Sequence, residues 1–380
     1  MEVSYLGDRM EARRVSEVST SLIRKMFEIV ERAKKSGKEV ISLTIGEPDF
    51  HTHPEILRRA YEAMKDGYTH YTSNFGIEEL REQIAEMHGV EMEQVMVTAG
   101  ASEALLNTSL AFIERGSDVL IPVPNFLSYF TYTKLCEAKL LSLDTTQTNF
   151  ELDPDVLNER MSREVSAVFL NYPNNPTGAV LDQKTLEAIA EIARDNGAVL
   201  ISDEVYSSIH YDKKPGTLAG EEGVVTVNAF SKSLAMTGWR IGYIIAEETL
   251  LDSILKIHQV NGVCAPAFAQ KAVAEVLAEG IAKDITEGMV REFRKRRDYI
   301  YKSLRGILEV VKPEGAFYIF PRVPMDSIEF AERLLADTGV AITPGIAFGS
   351  ENHVRLSYAA SMENIEKAMG RIRLFVENLT

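Results

Sequence analysis

Seven short apolar runs, "VISLTIG", "VMVTAG", "DVLIPVP", "AVFLNYP", "AVLISDEVY", "VVTVNAF" and "GYIIA", recur between residues 40 and 246, with helix-period stretches between them. Runs of this length, rich in Val and Ile and lacking strict alternation, read as strands buried on both faces, because a strand with one wet face must alternate. Such strands, separated by helices, dictate a mainly parallel sheet covered on both sides, since parallel neighbours need a crossover connection. The chain is therefore read as α/β: a three-layer α/β/α unit around a mainly parallel mixed sheet.

Each run ends in residues with chemistry: Gly46, Thr98 to Ser102, Pro122 to Phe126, Asn171 to Gly178, Asp203 to Tyr206, and Ser231 with Lys232. Ligands of open α/β sheets collect outside the carboxyl ends of the strands, so these residues are expected around one crevice. A chain of 380 residues exceeds one ordinary core. After about residue 285 the pattern changes to a long charged helix, alternating segments ("GAFYIFPRV", "VAITPGIAFG", "HVRLSYA") and a closing helix, which reads as a smaller α+β lobe. The stretch "STSLIRKMFEIVERAKKSG" predicts an opening helix, capped at Ser19 to Ser21 and ended by Gly37, that joins this lobe. The expected division is residues 1–45 with the smaller lobe, 46–284 as the large domain, and 285–380 as the small one.

The net charge of −15 argues against nucleic acid or an anionic membrane as the main partner, since both require clustered cations. The one basic run, "REFRKRRDYIYK", reads as a solvated helix face. Cys136 and Cys264 stand far apart without histidines at ligand spacing, so neither a disulfide framework nor a metal site is expected. "HTHP" at His51 and His53 reads as a loop, and "SILK" lies in an amphipathic helix pattern. The opening residues carry no continuous apolar stretch, and a reducing cytoplasm is the expected compartment.

Within the crevice, Asp203 closes a buried strand, with Glu204 on the opposite face. A carboxylate there needs a partner, so a cation is expected to face it. "NYPNNPTGAV" is a rigid turn that aims an Asn amide into the same crevice. "VTAGASEALLN" is a strand, a small-residue turn and a helix start, whose free N–H groups make an anion seat. Lys232 admits three readings: a solvated charge, a phosphate-binding lysine, or a desolvated nucleophile able to form a Schiff base. Arg240 suits a phosphate, and Arg355 is either a surface ion pair or, if the lobes close, a clamp for a substrate carboxylate.

Taken in order, "TIGEPDF", "YTSNFGIEELREQIA", "TAGASEA", "NYPNNPTGAV", "ISDEVY", "SKSLAMTGWRIGY", "GAFYIFP" and "VRLSYA" resemble the class I and II aminotransferases of fold type I, which depend on pyridoxal 5′-phosphate. The likeness covers nearly the whole chain and looks strongest to the archaeal and bacterial aromatic and aspartate aminotransferases. It implies that Lys232 is the Schiff-base lysine and proton carrier, that Asp203 pairs with the pyridine nitrogen, and that Asn175 and Tyr206 bond the ring oxygen. It implies further that the ring stacks on Phe126, that Ala101, Ser102, Ser231 and Arg240 hold the phosphate, and that Arg355, Asn175 and the Gly46 backbone fix the substrate carboxylate. Tyr71 is expected to reach the phosphate of the other subunit, which implies a homodimer with shared sites.

The implied activity is a ping-pong transamination from an L-amino acid to a 2-oxo acid, with 2-oxoglutarate the expected acceptor. Two departures bear on it: Ala229 stands where many relatives carry a phosphate-binding serine, and position 126 is Phe where Tyr or Trp is frequent. Some relatives that prefer acidic substrates place a lysine where Ser102 stands. The rival readings are a carbon–sulfur β-lyase on the same fold and a cofactor-binding regulator, which would need a basic DNA-binding segment that residues 1–45 do not resemble.

Overall fold

In the computed structural model, which describes residues 11–18 and 39–379, the first strand is short: β1 (Ile41–Ser42). The opening helix expected over residues 19–37 lies outside the described residues. The strands that follow are β2 (Val95–Thr98), β3 (Asp118–Val123), β4 (Lys139–Asp144), β5 (Val165–Asn171), β6 (Val199–Asp203), β7 (Val224–Ala229) and β8 (Gly242–Ile245). These seven form one sheet in the order β2-β8-β7-β6-β5-β3-β4, and β8 alone runs antiparallel to its neighbours. The sheet is mainly parallel, as the apolar runs imply, but the first run, "VISLTIG", is not part of it: β1 pairs outside this sheet, and β4 takes the seventh place.

Alternation along the strands sorts side chains between two cores, as the period of two requires. Val119, Ile121, Phe169, Ile201 and Val227 face the helices Ala101–Phe112 and Glu248–Asn261. Leu120, Val168, Leu170 and Leu200 face the opposite side, against the helix Gln183–Asp195. At the other end of that side, Val95, Val97 and Ile245 pack on the helices Pro54–Lys65, Glu78–His88 and Ala267–Ala278. Burying each such side chain stabilises the sheet by about 1.5–3 kcal/mol, and this compensates the lack of any polar face. Residues 51–53 do more than loop: the His53 side chain accepts the Glu55 N–H and caps the helix that Pro54 opens.

The remaining strands are β9 (Tyr318–Ile319), β10 (Val340–Ala341), β11 (Thr343–Pro344) and β12 (Val354–Ser357). An antiparallel sheet in the order β11-β12-β9 packs with the helices Ile281–Leu304, Ser327–Thr338 and Met362–Glu377. β1 pairs in parallel with β10, Ile41 opposite Val340, and Ile41 and Leu43 enter the core of Phe293, Phe317, Phe330 and Leu356.

The basic run on the long helix is not a solvated face throughout. Arg296 and Arg297 are 6% and 1% exposed, because they share the inward stripe of Phe293, Ile300 and Leu304. Arg296 reaches Asp49 at 2.7 Å; Arg297 donates to the Pro313 carbonyl at 2.9 Å and to Asp212 at 3.1 Å. Burial is tolerated because each guanidinium is paired and lies on an aromatic ring, Arg297 on Tyr211 and Arg296 on Phe50.

Candidate active site

The carboxyl ends of β2, β5, β6 and β7 open on one cavity of about 290 Å3, a size near that of small-molecule clefts, roughly 300–1,000 Å3. Eleven residues nominated from the sequence line it: Gly46, Ala101, Ser102, Phe126, Asn175, Asp203, Tyr206, Ser231, Lys232, Arg240 and Arg355. Tyr71 does not; its side chain is 84% exposed on its own chain. A larger cavity of about 620 Å3, reached by Met87, Ser233 and Thr286, contains none of these groups.

Asp203 ends β6 and is buried. Tyr129 donates to its Oδ2 at 2.6 Å and the Val205 N–H to its Oδ1 at 3.2 Å. Burial pushes its pKa up to about 6, against the pull of the Tyr129 and Val205 hydrogen bonds and the charge of Lys232. The cation expected opposite Asp203 is not a side chain in contact with it: no ion pair to this carboxylate occurs among the described residues. Glu204, on the other face, is satisfied by Ser202, Thr217 and the Leu218 N–H.

Lys232 sits on the short helix Phe230–Ser233 that follows β7. Its Nζ donates to the Gly46 carbonyl at 2.8 Å. Withdrawal from solvent pulls its pKa down to about 8, while Glu47 and Asp203 oppose and Arg355 and Arg240 assist. The chemical result is an amine that gives up its proton far more readily than a surface lysine.

Beside it, the helix Ala101–Phe112 begins with an anion seat. Glu103 and Ala104 N–H close on the Gly100 carbonyl, which leaves the N–H groups of Ala101 and Ser102 ahead of any intrahelical bond. Arg240 lies over this turn, held by the carbonyls of Thr237 at 2.9 Å and Ala99 at 3.3 Å. Gly100 has φ +86°, and a Cβ there would fall 2.5 Å from the Arg240 Nη2. A Cβ on Gly242 would meet the Ala101 nitrogen at 2.7 Å, so both glycines are needed for helix, strand and arginine to converge.

The opposite wall comes from β9 and β12. Arg355 is 2% exposed, donates to Asn175 Oδ1 at 2.9 Å and to the Thr44 carbonyl at 2.8 Å, and is sandwiched between the rings of Tyr318 and Phe348 at 4.5 and 4.8 Å. Its Nε has no partner among the described residues, and neither does it form an ion pair with any of them. A buried guanidinium without a carboxylate is costly unless an anion completes it. Asn171 fixes the turn below, its amide donating to the Asp203 carbonyl at 3.0 Å and its oxygen accepting the Asn175 N–H at 2.9 Å.

Several site residues escaped the sequence reading. Tyr318 meets the Tyr206 hydroxyl at 2.8 Å and floors Arg355; its place in "GAFYIFP" was the available signal. Leu105 and Thr237 also line the cavity. Tyr129, which orients Asp203 from 74 positions away, had no signal beyond its one-turn spacing from Phe126.

The donor set fits a group with a basic ring nitrogen, a phosphate and a carbonyl carbon: an unpaired carboxylate, free N–H groups beside an arginine, and an amine of lowered basicity. The family model for "Aminotransferase class I and II" matches residues 38–372. Similar proteins include a probable aspartate aminotransferase of Methanocaldococcus jannaschii, 40% identical over 97% of this chain and 100% of that one. The aromatic-amino-acid aminotransferase 2 of Thermococcus litoralis is 39% identical, over 97% of each chain. Among solved structures, the Thermus thermophilus aspartate aminotransferase with maleate superposes with a TM-score of 0.91 at 33% identity, covering 96% of this chain and 99% of that one. The chain belongs to the class I and II aminotransferases and is a pyridoxal 5′-phosphate-dependent transaminase.

Proposed function

We propose that this enzyme moves the amino group of an L-amino acid, aromatic, aspartate or similar, to a 2-oxo acid, 2-oxoglutarate foremost, in a ping-pong sequence through Lys232. The observation that carries the reading is that an amine, a carboxylate and a guanidinium, those of Lys232, Asp203 and Arg355, face one cavity without an ion pair among the described residues. The donor class is supported by the aspartate and aromatic aminotransferases that the chain resembles.

Bound pyridoxal 5′-phosphate supplies a carbonyl carbon that takes up and returns an amino group, and a ring that draws electrons from the substrate Cα. With a pKa of about 8, Lys232 Nζ is uncharged in an appreciable fraction near neutrality. That uncharged amine would hold the cofactor's carbonyl end and, when free, would take the proton from the substrate Cα and return it. Asp203, aligned by Tyr129, would hold the ring nitrogen's proton; a cation opposite it also removes the penalty of its burial. The Asn175 oxygen is engaged by Arg355, so its amide hydrogens and the Tyr206 hydroxyl are the donors left for the ring oxygen. Ala101, Ser102, Ser231 and Arg240 would take the phosphate, and Phe126 would give a ring face.

Arg355 spends one hydrogen on Asn175 and one on Thr44, which leaves Nε–H and the outer hydrogens for a substrate carboxylate. Tyr318 serves from behind, under Arg355 and against Tyr206. We assign the shared-site homodimer to the same reading: Tyr71 is 84% exposed on its own chain, which leaves it accessible to a second subunit. The reducing cytoplasm is supported by two free cysteines, one of them buried.

A panel of amino-acid donors assayed with 2-oxoglutarate, combined with borohydride reduction and peptide mapping, tests the proposal. A pyridoxyl group on Lys232 and 2-oxo acid formation are expected. Modification of another lysine, or pyruvate and ammonia released from cysteine conjugates with no transamination, overturns it. A solution mass of a single chain removes the shared-site assignment.

A further inference from the structure

Glu103 is a carboxylate that none of this chemistry uses, although it follows directly on the N–H groups assigned to the phosphate. Its side chain is 10% exposed and does not line the cavity. Oε2 accepts the Ala99 N–H at 2.6 Å, while Oε1 accepts from Asn107 Nδ2 and from His258 Nδ1, each at 2.6 Å. A carboxylate has no hydrogen to give, so Nδ1 carries the proton in that contact. His258 is fully buried on the helix Glu248–Asn261, and Asn261 from the same helix donates to Asn107 at 2.9 Å. Burial raises the Glu103 pKa, but the His258, Ala99 and Asn107 contacts outweigh it and hold the carboxyl below its ordinary value.

The peptide between Thr98 and Gly100 is gripped from both sides. The Ala99 N–H is tied to Glu103, and the Ala99 carbonyl accepts Arg240 Nη2 at 3.3 Å. Gly100 follows at φ +86° and launches the helix whose first N–H groups are free. A loose carboxylate here would repel a phosphate at the helix start. Three donors instead turn it away from the cavity and make it a fixed strut.

We propose that Glu103 and His258 are positioning residues of the phosphate seat: together they set the Thr98–Gly100 turn so that the Ala101 and Ser102 N–H groups and Arg240 converge on one anion. The inference rests on the phosphate assignment made above.

The test compares pyridoxal 5′-phosphate with pyridoxal, which lacks the phosphate, by absorbance titration of the cofactor-depleted full chain. Glu103→Gln places an amide NH2 against a donor. It should weaken pyridoxal 5′-phosphate about tenfold, roughly 1.4 kcal/mol, and pyridoxal less than about twofold. His258→Leu should reproduce that selective loss, and His258→Gln, which keeps a donor for Glu103, should stay within about threefold of the parent. Should Glu103→Gln fail to accumulate, the two His258 variants decide alone. Unchanged phosphate-dependent affinity, or equal weakening of both ligands, overturns the proposal. Arg240→Ala separates the two levels: if it too weakens both ligands equally, the phosphate assignment falls and this inference with it. If it is selective and the Glu103 and His258 variants are not, only the inference falls.

Discussion

The two walls of the cavity hold their charges in opposite ways. On the large-sheet side, Asp203 and Lys232 sit at strand ends and meet only neutral partners, Tyr129, the Val205 N–H and the Gly46 carbonyl. On the smaller-sheet side, Arg355 is clamped by two acceptors and two aromatic faces. The first pair has its proton affinities moved toward neutrality, up to about 6 for the acid and down to about 8 for the amine. The arginine stays charged and merely waits for an anion. On the proposed function one wall changes protonation and the other binds, and that division can be broken experimentally.

The largest effect belongs to the first wall. Lys232→Ala should lower kcat for transamination by at least ~10^4-fold, because the proposed nucleophile and proton carrier are lost together; substantial turnover in a stopped assay breaks the comparison at its centre. Asp203→Asn should cost ~10²–10³-fold in kcat, as expected for removing one fixed charge at the reacting group. The same substitution should stabilise the cofactor-free protein. Because the folded pKa of Asp203 is raised, the folded state holds a proton between pH 3.8 and about 6 that the unfolded chain has released. Stability therefore falls as pH rises through that window, by at most about 3 kcal/mol. Above pH 6, thermal denaturation should show Asp203→Asn melting higher than the parent.

Arg355→Ala should act mainly through KM, lowering kcat/KM by ~10²-fold with a smaller change in kcat, as for the loss of a buried charge pair. A variant with unchanged substrate affinity would remove Arg355 from the binding wall. For Lys232 the folded pKa is lowered, so between pH about 8 and 10.5 the unfolded chain holds a proton that the folded one has lost. Cofactor-free protein should gain stability across that range, and Lys232→Met should flatten the gain in pH-resolved melts. The smallest effect expected is that of Ser231→Ala, under about tenfold in cofactor affinity, since one neutral hydrogen bond is worth about 1 kcal/mol. A larger loss would show that Ser231 carries more of the phosphate in a chain with Ala229 in place of a second hydroxyl.

The sheet was legible because strands buried on both faces leave an apolar signature that needs no partner to interpret. β4 left none: it is an edge strand, and of Lys139 to Asp144 only Leu143 is buried. Residues at strand ends were legible for the same reason, since Asp203 and Lys232 follow directly from their strands. The Tyr129 contact to Asp203 and the pairing of Arg297 with Asp212 were not, because both join segments that only the tertiary fold brings together. Arg296 and Arg297 were misread as solvated from their charge, although Phe293 and Ile300 on the same helical stripe marked the side they occupy.

The backbone from Thr44 to Gly46 receives Arg355 at one carbonyl and Lys232 at another, two residues apart. The cation proposed to grip the substrate and the amine proposed to work on it thus lean on a single short rail. Because both rest on main-chain oxygens, replacing side chains along that rail leaves the acceptors in place, and a shift of the rail itself must be felt at both ends together.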